Sequence, residues 1–286
     1  MITAENVAEI PQGSIAYRDL GQGEPILFVH GLLVDGRLWD GVAERLRGDF
    51  RCLVPDWPMG SHRTPMKADA DLTPPGMAGV VLAFMDALGI ERATIVGNDS
   101  GGAVSQMLAA AHPERIERLV LTNCDSFEHF PPFPFSLMPP LARLPGGMTA
   151  LALPFRIGAI RRATYGLLAK HPIAPELVDS WLAPIADDGI RRDTRKFTAA
   201  ANKRYTLEAA ERLRTFERPL RFAWGSEDRF FKPGHAERLA AIVPDARIEW
   251  VADAGTFVPL DQPARVAELI AGFVREGSGV AAERAA

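Results

Sequence analysis

The stretch Ile95-Val96-Gly97-Asn98-Asp99-Ser100-Gly101-Gly102 decides the fold that we expect for this chain. Its apolar first half predicts a buried strand, and a helical pattern follows directly after it. A strand that turns so sharply into a helix holds one residue at strained backbone angles. The positions around that residue must be small, because strand and helix nearly touch there. The glycines at 97, 101 and 102 meet this condition and place Asp99 at the tip of the turn.

Two alternatives stay open for this turn. If Ser100 stood at the tip, the small residue that the turn requires would fall at position 98, which is Asn98. Alternatively, Asp99 is only an N-cap of the helix and the glycines merely allow close packing. Only the interpretation with Asp99 at the tip of the turn predicts an exposed, reactive carboxylate.

Short apolar runs and helical segments alternate along most of the chain. This alternation predicts an α/β fold, with a mostly parallel central sheet flanked by helices. The segment Gly13–Asp19 looks instead like an antiparallel edge strand. The predicted parallel strands are Ile26–Val29, Arg51–Val54, Ala93–Gly97, Leu119–Asn123, Leu220–Trp224 and Arg247–Val251. The predicted helices span about 37–47, 74–88, 100–111, 234–242 and 263–275.

The alternation stops between about residues 126 and 215. Proline-rich turns and short helical pieces replace the strand pattern there, so we expect a helical cap inserted into the core. Its place in the chain puts it over the carboxyl ends of the strands, where open α/β sheets bind ligands. The predicted core therefore comprises 1–125 and 216–276, the cap 126–215, and a flexible tail 277–286.

Composition argues against several classes of partner. The formal net charge is −4, and 32 Lys and Arg residues are scattered among 36 Asp and Glu residues, so no basic stripe could bind nucleic acid. No window is long and apolar enough to span a membrane, and the acidic N-terminus does not resemble a secretory signal. We expect a cytoplasmic protein without a membrane partner; a homodimer stays open. No metal-ligand spacing or nucleotide-binding loop occurs, so no cofactor is expected.

Four motifs together resemble the α/β-hydrolase superfamily, specifically its Asp-nucleophile branch of epoxide hydrolases, haloalkane dehalogenases and fluoroacetate dehalogenases. They are His30-Gly31, Asp56-Trp-Pro-Met-Gly60, the turn at Asp99, and Trp224-Gly-Ser-Glu-Asp228. The resemblance implies an α/β-hydrolase fold with a helical cap. It covers about residues 20–125 and 216–275.

The resemblance also implies catalytic roles. Asp99 would attack an electrophilic carbon and form an ester, which an activated water then cleaves. The backbone amides of Leu32 and Ser100 would form the oxyanion hole. Asp228 would be the acid that orients the base, and Asp125 is the alternative carrier of that role.

One position departs from the family pattern. The catalytic His is expected in the segment Asp253-Ala-Gly-Thr256-Phe257, but this chain has Thr256 there. Threonine cannot accept a proton near neutral pH. His62 follows the fourth strand on the same sheet edge as Asp99, so it is our first candidate for a replacement base. His129, near Asp125, is the second.

Residues near the predicted site suggest a small apolar organic substrate. Aromatic residues at the start of the cap would line an apolar pocket. Epoxide hydrolases use cap tyrosines to protonate the opening oxygen, and we prefer Tyr205 to Tyr165 for this role. Haloalkane dehalogenases carry Trp directly after the nucleophile, where this chain has Ser100. The candidate substrate-binding residues are His30, which we expect mainly to brace its loop, Asp125, Phe127, His129, Trp181 and Tyr205, with Phe130, Phe133, Phe135 and Met138 as further pocket lining.

The sequence thus predicts a small-molecule hydrolase that resembles epoxide hydrolases and dehalogenases. Because the usual His is absent, two other functions remain open. One is an enzyme that needs no ester hydrolysis, such as a lyase, isomerase or cyclase that uses Asp99 as a base. The other is a protein that binds a ligand on the same fold without turnover.

Overall fold

A single eight-stranded sheet forms the centre of the protein in the computed structural model, which describes residues 6–285 and the side chains of residues 6–276. The strand order is β1-β2-β4-β3-β5-β6-β7-β8; β2 runs antiparallel to β1 and β4, and all other pairs are parallel. The strands are β1 Asn6–Ile10, β2 Gly13–Leu20, β3 Pro25–Val29, β4 Arg51–Pro55, β5 Ala93–Asp99, β6 Ile116–Cys124, β7 Leu220–Gly225 and β8 Arg247–Val251.

Helices cover both faces of the sheet. They are α1 Asp40–Leu46, α2 Pro74–Ala87, α3 Ser100–Ala111, α4 Met138–Arg143, α5 Gly147–Ala152, α6 Gly158–Tyr165, α7 Pro175–Leu182, α8 Asp188–Ala200, α9 Lys203–Leu213, α10 Pro233–Ala240, α11 Val258–Asp261 and α12 Pro263–Ala285. One buried apolar cluster contains residues of α2, α3 and α10, and the other contains residues of α1, α11 and α12. Successive residues of β3 alternate between the two clusters, as side chains on a strand must.

The predicted α/β fold is confirmed, and each of the predicted parallel strands and core helices is present. The antiparallel strand is also present, but it is not the edge, because β1 lies outside it. The sequence analysis missed β1 because only Ala8 and Ile10 of its residues are buried, which leaves a weak apolar pattern.

The segment between β6 and β7 holds α4 to α9, and in the described structure none of the sheet strands passes through it. We call residues 126–215 the insertion. Its last helix, α9, packs against α3 of the core. The boundaries of a separate cap stay a prediction. The predicted flexible tail falls on residues whose side chains lie outside the described set, while the backbone of α12 extends to Ala285.

The topology brings several loops to one edge of the sheet. Because β3, β5, β6 and β7 are parallel neighbours, the residues that follow them meet at their common carboxyl edge. Those residues include Gly31, Asp99, Asp125 and Asp228, which are far apart in the chain. Among the helices that the structure describes, none is long and apolar enough to cross a membrane.

Candidate active site

Asp99 occupies the tip of a sharp turn between β5 and α3. Its backbone angles are φ 53° and ψ −131°, a strained conformation for a residue with a side chain. The turn needs glycine at Gly102, because a Cβ there would collide with Cys124 on β6. A Cβ at Gly101 would likewise collide with the backbone carbonyl of His30. The geometry that the sequence predicted for this stretch is present.

The carboxylate of Asp99 is held by the loop after β3. The backbone N–H groups of Leu32 and Ser100 donate hydrogen bonds to it; these are the amides that the sequence analysis assigned to an oxyanion hole. Gly31 lies so close to the carboxylate that a Cβ would overlap the Oδ2 atom of Asp99. The loop turns away through Leu33, whose φ is also positive at 57°. The orientation of Asp99 is therefore fixed by backbone groups.

Burial raises the pKa of Asp99 to about 7, well above the ordinary range of a carboxyl. The hydrogen bonds from Ser100 and Leu32 oppose this rise because they stabilise the charged form, and the charge of Asp228 adds to it. The carboxylate is nevertheless partly accessible, because Asp99 is one of the residues that line a cavity. Near neutral pH, Asp99 exists in both protonation states.

The cavity lies between the sheet edge and the insertion, and its wall is mostly apolar. In the described structure, no Lys, Arg, His, Asn, Gln or Trp side chain lines it. The polar lining residues are Asp99, Ser100, Asp125, Thr164, Tyr165 and Thr198, and the apolar ones are Leu32, Leu33, Phe130, Pro131, Pro132, Phe135, Met138, Phe155, Leu168, Phe197 and Ala201. A few polar groups in an apolar wall are typical of a site for a small organic ligand.

Asp125 is the second carboxyl in the cavity wall. It follows β6 directly and is 1% exposed. Its Oδ2 atom accepts a hydrogen bond of 3.0 Å from the Ser100 hydroxyl, whereas its Oδ1 atom is buried without a hydrogen-bond partner in the described structure. Burial, together with the charge of Asp99, raises the pKa of Asp125 well above its usual range.

Asp228 follows β7 and lies outside the cavity lining. Its Oδ1 atom accepts hydrogen bonds from the backbone N–H groups of Phe230 and Phe231 and from the Thr256 hydroxyl, at 2.7, 3.0 and 3.0 Å. The Asn123 side chain donates to Oδ2 at 2.8 Å. Burial raises the pKa of Asp228, and these hydrogen bonds oppose the rise.

The segment that carries Thr256 is tied to the turn at Asp99. The side-chain amide of Asn98 donates to the backbone carbonyl of Thr256 over 2.7 Å and to the Thr122 hydroxyl over 2.8 Å. Thr256 is fully buried. Position 256 is thus adjacent both to the predicted acid and to the residue before Asp99, where the family pattern expects the base.

The structure does not bring His62 to Asp99. His62 Nε2 lies 3.4 Å from Oδ2 of Asp193 on α8, and its Nδ1 accepts from the backbone N–H of Gly60, also at 3.4 Å. The side chain is 5% exposed and is absent from the cavity lining. His62 connects the loop after β4 to the insertion, so the geometry does not support its role as replacement base.

His30 braces its loop, as expected, and does not line the cavity. The backbone N–H of Trp57 donates to its Nε2 over 2.8 Å, so the proton lies on Nδ1, which is 2.9 Å from the carbonyl oxygen of Gly31. Burial lowers the pKa of His30 to about 4, so the ring is neutral. The assignment of His30 to substrate binding is therefore corrected to a structural role.

Four further candidates for substrate binding also lie outside the cavity lining. The Phe127 ring is covered by the Arg238 guanidinium at 3.8 Å, and the His129 ring stacks on His235 at 4.1 Å. These contacts hold both residues against α10. Since the whole chain contains six histidines and all are described, none is left to act as a base from the cavity wall.

Trp181 and Tyr205 are engaged elsewhere. Trp181 is fully buried, donates from Nε1 to Asp35 over 2.9 Å and packs against Tyr165. The Tyr205 hydroxyl accepts a 2.6 Å hydrogen bond from Arg204, and its ring lies beside α3. The orientation of each helix decides where Trp181 and Tyr205 lie, and amino-acid composition does not specify that orientation.

Several lining residues were missed or misjudged. Tyr165, not Tyr205, is the tyrosine of the cavity, and its hydroxyl donates to the Leu33 carbonyl over 2.5 Å. Phe130, Phe135 and Met138 line the cavity as predicted, but Phe133 is 76% exposed. The missed residues at the end of α8 and directly after it could have been found from the sequence, since they recur at helical spacing on one face. They are Phe197, Thr198 and Ala201.

Comparison with known proteins supports the fold over nearly the whole chain. A family model described as alpha/beta hydrolase fold matches residues 24–263. The chain is 28% identical over 280 residues to the cis-3-alkyl-4-alkyloxetan-2-one decarboxylase of Shewanella oneidensis, an alignment that covers 93% of this chain and 87% of the relative. It is 27% identical over 273 residues to haloalkane dehalogenase 2 of Mycobacterium tuberculosis, covering 91% of each.

A solved structure agrees with this assignment. The haloalkane dehalogenase DbeA from Bradyrhizobium elkani USDA94 superposes with a TM-score of 0.81 at 19% identity, covering 96% of this chain and 98% of that chain. At this identity the likeness shows the fold alone. With the match to the family model and the eight-stranded sheet order, it shows that the chain belongs to the alpha/beta hydrolase fold family.

Proposed function

We propose that this protein is an enzyme in which Asp99 attacks an electrophilic carbon of a small apolar compound and forms a covalent ester. One observation carries the proposal: a carboxylate stands at the strained tip of the β5–α3 turn, is held by two backbone amides, and lines an apolar cavity. An N-cap role would not require this arrangement, and the Asp99 side chain does not accept the capping hydrogen bond from the second or third N–H group of α3 that an N-cap receives. Ser100 is the less suitable nucleophile, because it is the first residue of α3 and Asp99 holds the strained tip of the turn.

The two amides serve both steps of such a reaction. In the first step the amides orient Asp99, whose ionised carboxylate attacks the substrate carbon. In the second step, attack of water on the ester carbonyl develops negative charge on its oxygen. The amides of Leu32 and Ser100 stabilise that charge. The polar lining residues that the structure describes carry only a few hydroxyls and carboxyls, which favours an apolar substrate.

The second step lacks its usual base. The Thr256 hydroxyl donates to Asp228 and cannot accept a proton near neutral pH, and none of the six histidines lines the cavity. We therefore expect the Asp99 ester to be long-lived compared with one that a histidine-activated water cleaves. The proposed enzyme resembles the dehalogenase and hydrolase relatives in its first step and differs from the family pattern in its second.

A second candidate function follows from the same missing base. The Shewanella relative is named as a decarboxylase of an oxetan-2-one. Loss of carbon dioxide from such a ring gives an alkene and consumes no water, so it needs no base for ester hydrolysis. This candidate places the protein among lyases, with Asp99 still the reactive group.

Intact-protein mass spectrometry tests the proposal. The protein is incubated with a panel of 1,2-epoxyalkanes, 1-haloalkanes, oxetan-2-ones and activated esters, and Asp99→Asn is the control. The expected result is a mass increase equal to the bound fragment, present in the wild type and absent in the control. Release of alkene and carbon dioxide from an oxetan-2-one would support the lyase instead. If no panel member gave an adduct or a product, that result would contradict both candidate functions and favour a ligand-binding protein.

A further inference from the structure

Asp125 lies next to Asp99 although the two are 26 positions apart in the chain. Because β5 and β6 are parallel neighbours, their ends meet, and the backbone N–H of Asp125 lies 3.4 Å from the carbonyl oxygen of Asp99. Both residues line the same cavity. A ligand in contact with Asp99 therefore has a second carboxyl beside it.

The two oxygens of Asp125 have different surroundings. Oδ2 is occupied by the hydroxyl of Ser100, the residue directly after Asp99, while Oδ1 is buried and has no partner in the described structure. Among the described residues, no positively charged side chain lines the cavity. Two adjacent carboxyls without a cation cannot both ionise at little cost, so one proton stays on the pair. When Asp99 is ionised, that proton belongs to Asp125, and its unoccupied position is Oδ1.

Two of the other donors in the cavity wall are already committed, whereas the Thr198 hydroxyl has no partner in the described structure but, as an alcohol, is no acid near neutral pH. Tyr165 donates its hydroxyl hydrogen to the Leu33 carbonyl, and Ser100 donates to Asp125. No side-chain N–H group lines the described cavity to stabilise a departing halide. An alkoxide leaving group, which needs a proton, has an acid here in Asp125, whereas a halide leaving group finds no side-chain N–H and only hydroxyls among the described lining residues.

We propose that Asp125 is a catalytic acid that protonates an oxygen leaving group, which makes strained cyclic ethers the preferred substrate class. This inference rests on the proposed role of Asp99 as nucleophile. A carboxylic acid beside a carboxylate nucleophile is a known division of labour in glycoside hydrolysis, where burial and the neighbouring charge keep one carboxyl protonated.

The step balances without a further reactant. A carboxylate oxygen of Asp99 forms a bond to a ring carbon, the bond from that carbon to the ring oxygen breaks, and its electron pair stays on the oxygen. That oxygen takes the proton from the carboxyl group of Asp125. The products are a hydroxyalkyl ester of Asp99 and ionised Asp125. When water later cleaves the ester, the proton released returns to Asp125 and the pair regains its starting state.

The test compares two leaving groups on the same alkyl chain. Adduct formation with 1,2-epoxyhexane and with 1-bromohexane is timed by intact mass for wild type and Asp125→Asn. Asparagine keeps the size of the side chain and can still accept from Ser100, but it has no acidic proton. The rate with the epoxide should fall about 100-fold or more, the usual contribution of a general acid, while the rate with the bromide changes little.

Asp228→Asn is the matched control, because it also converts a buried carboxyl near Asp99 to an amide. It removes a charge that acts on Asp99, so it should change both rates alike and give no dependence on the leaving group. An equal effect of Asp125→Asn on both substrates, or no effect, would overturn the role of Asp125. A wild type that reacts with the bromide and not with the epoxide would do the same.

Failure of the proposed function gives a different result. If Asp99 is not a nucleophile, wild type forms no adduct with either compound, and the inference about Asp125 falls with it. Should Asp125→Asn not fold, wild type alone decides the question through the solvent deuterium isotope effect on adduct formation. Proton transfer from Asp125 predicts slower reaction in deuterium oxide with the epoxide only; equal isotope effects for both substrates would contradict it.

Discussion

The Thr256 hydroxyl donates a hydrogen bond of 3.0 Å to Oδ1 of Asp228. In the family pattern this position holds the histidine that the acid orients. Here the carboxylate of Asp228 is fully hydrogen-bonded, by two backbone amides, one asparagine and one threonine. The threonine hydroxyl cannot accept a proton from water near neutral pH, so these hydrogen bonds hold Asp228 in place without supplying a base.

Replacing Thr256→His should shorten the lifetime of the Asp99 ester. A histidine at this position can donate from one ring nitrogen to Asp228 and present the other to water near Asp99. General-base catalysis typically contributes about 100-fold or more, so we expect an effect of that order. The measurement is the decay of the adduct mass after excess substrate is removed.

Thr256→Val is the control for this substitution. It keeps the shape of threonine but removes the hydrogen bond to Asp228, so the free energy of unfolding should fall by about 1–3 kcal/mol. The ester lifetime should stay as in wild type. If Thr256→His left the lifetime unchanged while the protein remained folded, position 256 would not be where the base belongs.

Replacing Asp99→Asn should stabilise the protein at alkaline pH. The pKa of Asp99 is raised from an ordinary 3.8 to about 7, so ionisation costs more free energy in the folded than in the unfolded chain. The free energy of unfolding of wild type therefore falls as pH rises from about 4 to about 7. Asparagine does not ionise, so above pH 7 the free energy of unfolding of Asp99→Asn should exceed that of wild type by at most about 4 kcal/mol.

Denaturant unfolding of both proteins from pH 4 to pH 9 measures this difference. The gap in the free energy of unfolding should be smallest at pH 4, where Asp99 is protonated in the folded chain and only about half ionised in the unfolded chain, and should grow through neutral pH. A gap that did not depend on pH would show that the Asp99 carboxyl is not buried as the structure has it.

Adduct formation by wild type should itself depend on pH. Only the ionised form of Asp99 is a nucleophile, and its pKa is about 7. With 1-bromohexane, whose leaving group needs no proton, the rate should rise through about pH 7 and then level off. Timed mass spectra across this range provide the measurement, and a flat profile from pH 5 to pH 9 would argue against a raised pKa at the nucleophile.

Gly31→Ala should abolish adduct formation with much of the fold retained. The added Cβ would overlap the Asp99 carboxylate, which must then leave the two amides that hold it. Gly79→Ala on α2 is the matched control, because a Cβ there meets nothing within 4 Å. It should keep full reactivity and gain about 0.5–1 kcal/mol, since glycine is unfavourable inside a helix. Equal reactivity of the two variants would contradict the contact between Gly31 and Asp99.

His62→Gln should leave the lifetime of the ester unchanged. His62 contacts Asp193 and does not line the cavity, so it is not placed to activate water. The variant weakens a link between the loop after β4 and α8, and we expect a lower melting temperature. Slower decay of the adduct in this variant would instead restore His62 as the base.

Much of the fold could be predicted from the sequence because local patterns of apolar and small residues specify its strands and turns. Strands such as β5 and β6 are continuous apolar runs, and the glycines around Asp99 predict a turn that only small residues allow. The edge strand β1 was missed because just two of its five residues are buried. A strand with few buried residues has a weak apolar pattern, so the sequence does not predict it.

The lining of the cavity could be predicted only in part. Phe130, Phe135 and Met138 were found from their density, while Phe127, Trp181 and Tyr205 have the same chemistry and lie elsewhere. Whether an aromatic residue faces a cavity or a neighbouring helix depends on how the short helices of the insertion pack. No periodicity in this stretch of the chain specifies that packing.

The sequence by itself determined the class of fold, the turn at Asp99 and the absence of a histidine at Thr256. These depend on residue type and on neighbours within a few positions. Only the tertiary structure decided that Asp125 stands beside Asp99 with one oxygen unpaired, and that His62 is held by Asp193 on α8. Such relationships are set by which strand ends meet at the sheet edge and where the insertion lies against them, and both are properties of the folded chain as a whole.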